Sequence, residues 1–405
     1  MELPNDALVN YVFPNNTTVW WSVMIVIYPY ITGLIAGAFV VSTFYHVFKI
    51  EEYKPIANFS LIVAYCFGLF VGTPLLVHLG QPQRAWEIYV TPHPTSAMSV
   101  FGYVYSGYLL LLTIEIWVIY RPYFIRMANQ TTGIMRPIWY ALTRGVTTYH
   151  PDSERVDRKV TGFLAGLGIP WACLLHGYVG FVFGSVKAIS WWATALQPLI
   201  FLSSAVVSGM AMILVMYTFI MWRRREPYDY PMIRKLMISL WIAFILDWAL
   251  EMLELVHAAY RHGYEWEEIR PLIMGPLFEP YILGQITLTS AIPTVLLGYV
   301  VLSHASGKKL LYLANVSSFL LLLQVLLMRF NVVIGGQLIS KSGRGFLDFE
   351  LEFFGKEGIL TAIAIFAAPF VTYYVISRFI PIFGDVAGRP DKTNGDVIGA
   401  DRVTL

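Results

Sequence analysis

Cysteine is almost absent from this sequence. Cys66 and Cys173 are the only two in 405 residues, each inside an apolar run, with no CxxC pair and no Cys/His cluster. An iron–sulfur cluster held by the usual four thiolates is therefore excluded from this chain, and nothing supports a structural zinc site. Charge is scarce too. Asp, Glu, Lys and Arg make up 13% of the residues, where a soluble domain carries about 25%. With 57% hydrophobic residues and a mean hydropathy of +0.60, the chain is too apolar for a soluble fold. The net charge of +2 argues nothing for nucleic acid, because the basic residues sit in short segments between apolar runs. The alternating polarity of barrel strands is missing, which excludes a transmembrane β-barrel. Residues 1–18 are polar and Asn-rich and have no basic start, so no signal peptide is expected there.

What is present is a series of long apolar runs. A membrane-crossing helix needs about 20 such residues. Nine runs qualify: 19–48, 57–80, 97–121, 159–184, 191–222, 231–262, 277–303, 308–332 and 357–381. They predict an all-α polytopic bundle of about nine helices, spanning residues 1–383. A polar tail over 384–405 is expected to lie in the cytoplasm. Placing the N-terminus outside puts segments 49–56, 121–159, 223–235, 304–309 and the tail inside. Counted with Arg378 at the inner end of the last span, these hold 20 of the 28 Lys and Arg. The excess of inner positive charge supports an N-out, C-in protein of the cytoplasmic membrane. A surface helix is expected near 134–144, in the long inner loop.

The sixth run carries Asp247, Glu251, Glu254 and His257. The acids are spaced i, i+4, i+7, which puts them on one helix face, and His257 continues the stripe. One ionised carboxylate at mid-bilayer costs roughly 2.5–3.5 kcal/mol. Three facing lipid would cost on the order of 8–10 kcal/mol. They must face protein or water, pair with cations, or hold protons. Glu115 lies deep in the third span. A line from Glu115 through Asp247, Glu251 and Glu254 to His257 is the expected proton relay.

The topology also sorts other polar residues by depth. His78 and Arg84 lie at the outer exit of the second span, in HLGQPQRAW. His176 and Tyr178 lie in the outer half of the fourth, in HGYVGFVFG. Arg329 and Asn331 lie at the outer end of the eighth, in RFNVVIGGQ. Trp20, Trp21 and Tyr28 add aromatic surface at similar depth. A quinone needs apolar walls, one hydrogen-bond donor per carbonyl and, as quinol, acceptors for two protons. His78, Arg84, His176, Tyr178, Glu254, His257, Arg329 and Asn331 are accordingly the candidate quinone-binding residues. Each also has a plainer role open to it. His78 caps its helix, Arg84 touches headgroups, His176 packs against a neighbouring helix, and Glu254 with His257 forms an interfacial pair. Arg329 is expected to snorkel to the outer surface.

Two other functions fit part of the pattern. A di-haem cytochrome b needs His pairs at matched depth, which His176 and His257 could begin to supply, with His46 and His304 weakly placed for a second pair. A proton-coupled secondary transporter would use Pro- or Gly-broken spans, and Pro74, Pro170, Pro198 and Pro293 interrupt four of them.

HLGQPQRAW, PTSAMSVFGYVY (94–105), HGYVGFVFG and above all RFNVVIGGQLISKSGRG (329–345) resemble the NrfD/PsrC family of membrane subunits. NVVIGGQ and the chain length are most similar to its DsrP (HmeB) branch. The resemblance implies two pseudo-symmetric four-helix bundles plus extra helix. It implies menaquinone as bound substrate and no haem or cluster in the chain. It also implies a DsrO-like iron–sulfur subunit docked on the outer face, a DsrM-like membrane cytochrome subunit and further Dsr subunits, all serving sulfur metabolism in anaerobic respiration. The implied function is electron exchange between menaquinone and the iron–sulfur partner. His78, Arg84, His176, Tyr178, Arg329 and Asn331 match the family's motif positions. Gln81 departs from them, since the family often has Arg there.

Overall fold

The computed structural model describes residues 17–303, 305–340 and 345–383. The expected tail over 384–405, most of segment 1–18, and His304, Lys341 and Arg344 lie outside the described residues. Within them, regular structure is helical apart from two isolated β-bridges, Thr18 with Asp348 and Ile339 with Phe346. Among the described residues, nine helices are long and apolar enough to cross a membrane. They are span 1 (Val23–His46), span 2 (Glu51–His78), span 3 (Ala97–Gln130), span 4 (Pro151–Gly184), span 5 (Gln197–Arg224), span 6 (Tyr230–Arg261), span 7 (Phe278–Ser303), span 8 (Gly307–Gln337) and span 9 (Ile359–Phe379). The protein is a polytopic helical membrane protein. Its outward-facing residues on these spans, such as Leu246, Val295 and Phe319, are what a hydrocarbon solvent requires.

Spans 3 and 4 have 34 residues each, about 51 Å of helix. That exceeds the roughly 30 Å hydrocarbon layer, so both project beyond it. Span 2 is interrupted at residues 69–71, between helices Lys54–Gly68 and Gly72–His78. The helix expected near 134–144 is present as Arg136–Leu142, held by Trp139 stacking on Phe124.

Spans 1 and 5 form the centre. Their most apolar windows are 83% and 72% buried, against 22–56% for the other seven. Small residues let them cross closely. A β-carbon added to Gly37 would come within 2.1 Å of the Ala205 carbonyl oxygen, and one on Gly209 within 2.3 Å of the Gly37 backbone. Spans 2, 3, 4 and 9 pack about one side of this seam, and spans 6, 7 and 8 about the other.

The first half of span 7, Phe278–Ala291, is wound as a π-helix. Its hydroxyls follow the wider winding. Thr287, Thr289 and Ser290 each donate to the carbonyl five residues earlier, on Ile282, Gly284 and Gln285. Such windings occur most often near functional sites.

Candidate functional site

Arg329 on span 8 is completely buried. It does not snorkel to a surface, contrary to the expectation from sequence, because neighbouring spans satisfy it inside the bundle. Its Nη2 donates to Ser204 Oγ at 2.7 Å and to the Phe201 carbonyl at 3.3 Å, and lies 3.0 Å from His176 Nε2. The guanidinium sits 3.8 Å from the Phe201 ring centroid, a cation–π contact. His176 is wedged from the other side by Gly33, where a β-carbon would be 3.2 Å from its Cε1. The seam between spans 1 and 5 thus sets the position of the imidazole.

On the adjoining face of span 6 the acid stripe turns inward. Asp247 accepts a 2.5 Å hydrogen bond from Ser203 Oγ, and Glu251 accepts from Gln285 Nε2 at 3.0 Å and from Gln324 Nε2 at 3.2 Å. Gln285, from the π-wound half of span 7, accepts in turn from Asn331 Nδ2 at 2.8 Å. Asn331 donates also to the Pro280 carbonyl. Arg329 is the one fully buried Lys or Arg among the described residues, and it lies among spans carrying these two acids. Asp247 Oδ2, His176 Nδ1, Arg329 Nε, Asn331 Oδ1 and Gln324 Oε1 are buried without a hydrogen-bond partner among the described residues. Buried polar atoms are rarely left so, and a site that works on protons or polar ligands is one place where they are.

A cavity of about 80 Å³ opens beside this network, bordered by Glu251, Glu254, Tyr281, Gln285, Asn331 and Trp191. Trp191 and Tyr281 meet edge to face at 5.3 Å and give it an aromatic wall. The volume is well below the roughly 300–1,000 Å³ of ligand pockets, so a bicyclic head group enters only with side-chain movement. The last residues of span 8 support the wall. Trp192 Nε1 donates to the Val332 carbonyl at 2.5 Å, and a β-carbon on Gly336 would stand 2.3 Å from that same nitrogen. Glycine at 336 is therefore required for the indole to seat.

The structure brings together His176, Arg329, Asn331, Asp247, Glu251 and Glu254. The other candidates stand elsewhere. His78 pairs with Glu357 at 2.6 Å. Arg84 is exposed and paired with Glu87 at 2.7 Å, and its hydrogen bonds hold the Glu87 carboxyl below its usual pKa. Tyr178 packs against Phe181, and His257 is exposed. Trp20 is exposed, Trp21 stacks on Trp192 and Tyr28 meets Phe101. Glu115 is fully buried in span 3, both oxygens without a partner among the described residues. Span 3 packs on spans 4 and 2 rather than on span 6, so Glu115 belongs to the other side of the central seam. His176 and His257 do not face each other, since one is enclosed by Arg329 and the other is at the surface.

Sequence reasoning missed Ser203, Ser204, Gln285 and Gln324. The two glutamines carried a signal, an amide inside an otherwise apolar span, which demands a partner. The two serines carried none, because serine is ordinary on small-residue helix faces.

The family model described as "Polysulphide reductase, NrfD" matches residues 12–341. A selenate reductase subunit of Mesobacillus selenatarsenatis is 30% identical over 301 residues, 72% of this chain and 68% of that one. The Hdr-like menaquinol oxidoreductase integral membrane subunit of Archaeoglobus fulgidus is 26% identical over 53% of this chain and 46% of its own. A putative dimethyl sulfoxide reductase membrane subunit of Halobacterium salinarum is 24% identical over 48% and 42% respectively.

Proposed function

Since the chain belongs to the NrfD polysulphide-reductase family of membrane proteins, we propose that it is the quinone-interacting subunit of a respiratory redox complex. The observation that carries this reading is the network Glu251–Gln285–Asn331 opening onto an aromatic-walled cavity, with Glu254 at its border and Arg329–His176 behind it. Asn331 and Gln285 supply amide donors for a quinone carbonyl. Glu251 and Glu254 supply acceptors for the two protons that a quinol releases on oxidation. Its two electrons leave for the iron–sulfur clusters of a partner subunit, and the reverse direction reduces quinone with the same groups. The buried Arg329 offsets the negative charge that Asp247 and Glu251 bring into the bundle.

The quinone is proposed to be menaquinone, the class named in the menaquinol oxidoreductase relative. The partner is proposed to be DsrO-like, docked outside the membrane at the cavity end, with DsrM-like and further Dsr subunits beside it. That end carries the start of span 1, which lies outside in the N-out orientation that the basic loops favour. The finer assignment to the DsrP branch rests on NVVIGGQ at the end of span 8. Protons would pass along Glu254, Glu251 and Asp247, while Glu115 would hold a proton on the far side of the seam. His78, Arg84, Tyr178 and His257 would shape the surroundings without touching the head group.

The test is binding of a quinol analogue to the purified chain, with and without its iron–sulfur partner, read by tryptophan fluorescence. Trp191 at the cavity should be quenched, and Asn331→Leu should weaken the affinity about tenfold, the cost of one lost buried hydrogen bond. No quenching in either preparation would remove the proposal.

A further inference from the structure

The opposite end of span 5 closes with Met221-Trp222-Arg223-Arg224-Arg225. With Glu226 and Tyr228, four of these five line an open cavity of about 450 Å³; Arg224 is the exception. Arg225 ends the helix in a left-handed conformation, φ 58°, which turns the chain sharply. Arg224 is engaged, with its guanidinium 5.2 Å from the Phe383 ring centroid and 3.8 Å from Glu226. That contact also takes up the one carboxylate bordering the cavity. Arg223 and Arg225 are exposed and have no ion pair among the described residues. One turn deeper in the span, Phe219 is 59% exposed, and Trp222 is 64% exposed, their rings 5.8 Å apart.

Two uncommitted guanidiniums thus flank a cavity where a span leaves the hydrocarbon layer, and two aromatic rings lead from it into that layer. We propose that this is a binding site for a phospholipid whose phosphodiester headgroup carries net negative charge. Planar guanidinium forks match phosphate oxygens. Tryptophan favours the headgroup level, and arginines at a span's end attract anionic lipid. The phosphate is held between Arg223 and Arg225, and an acyl chain lies along Phe219 and Trp222. A zwitterionic headgroup brings its own cation against the arginines and is disfavoured. Free phosphate shares the anion but has no chain for the aromatic rings. Asp385, Asp391, Asp396 and Asp401, which follow Phe383 in sequence, are the competing occupant.

The test uses the full-length chain in detergent, stripped of lipid, with binding read by native mass spectrometry. Phosphatidylglycerol should be retained more tightly than phosphatidylcholine, and millimolar inorganic phosphate should not displace it. Arg223→Gln with Arg225→Gln should lower the affinity for phosphatidylglycerol on the order of thirtyfold, about fivefold for each guanidinium. The double lysine variant, which keeps the charge but loses the fork, should fall between. Truncation after Phe383 should leave binding unchanged. Equal retention of the two lipids by the unmodified chain overturns the proposal. So does displacement by phosphate, or tighter binding after truncation, which would make the tail the occupant.

Discussion

Arg329 Nη2 lies 3.0 Å from His176 Nε2, and the same nitrogen donates to Ser204. One buried guanidinium therefore ties spans 4, 5 and 8 together behind the cavity. Lysine carries the charge but not the fork. Arg329→Lys should leave His176 or Ser204 unsatisfied, at about 1–3 kcal/mol for each group. The expected outcome is a lower thermal midpoint together with quinol oxidation reduced about tenfold or more. Thermal denaturation and turnover of the intact complex with a soluble quinol analogue check both.

Glycine at 37 is required by the backbone of span 5, because an added β-carbon would stand 2.1 Å from the Ala205 carbonyl oxygen. Gly37→Ala should force the two central helices apart, at about 1–3 kcal/mol. His176 rests on Gly33 one turn away, so analogue binding should weaken with stability. Gly166→Ala is the matched control, since a β-carbon there meets nothing within 4 Å. Its midpoint should not fall, since alanine is the better helix former.

Glu251 and Glu254 border the same cavity but differ in surroundings. Glu251 is buried and receives two amide donors, while Glu254 is partly exposed. Glu251→Gln keeps the shape and loses the proton acceptor. It should bind quinol analogue within a few-fold of the parent yet turn over about 100-fold more slowly. Glu254→Gln should have a smaller effect, because water can replace it as acceptor. Measuring affinity and turnover on the same preparations separates the two roles.

His78 and Glu357 tie the end of span 2 to the start of span 9 at 2.6 Å. Burial alone would raise the Glu357 pKa. Hydrogen bonds from Ser22 and His78, with the charges of His78 and Lys356, outweigh it and hold the pKa below the usual 4.5. A carboxylate so depressed stabilises the folded state above about pH 4.5 and loses that contribution as pH falls further. The melting difference between the parent and Glu357→Gln should shrink as the pH falls below about 4.5. A difference that persists unchanged at acid pH contradicts this ion pair.

Much of the fold was legible in the sequence, because hydrocarbon imposes one strong rule: about 20 apolar residues per crossing. That rule found all nine helices. It missed the break in span 2 at 69–71, since Leu69, Phe70 and Val71 are as apolar as their neighbours. It missed the π-winding of span 7 for the same reason, because hydropathy does not record how many residues make a turn. At the site, the spacing of Asp247, Glu251 and Glu254 was enough to put all three on one helix face, and Asp247 and Glu251 on that face are buried. Arg329 was misjudged because depth along a helix says nothing about which neighbours enclose it. Gln285 carried a signal as an amide in an apolar span, but its partners became visible only once span 7 lay beside Glu251 and Asn331. His78 and Arg84 looked alike in sequence to His176 and Arg329, yet local partners, Glu357 and Glu87, occupy them.

The proposed function puts a quinone head group between spans 6, 7 and 8. Photolabelling of the intact complex with an azido-quinone, followed by peptide mapping, tests it most directly. Label should fall on the segments around Tyr281–Gln285 and Met328–Val332, and a quinol analogue should compete it away. Competed label confined instead to the region of His78 and Arg84 would rule that placement out.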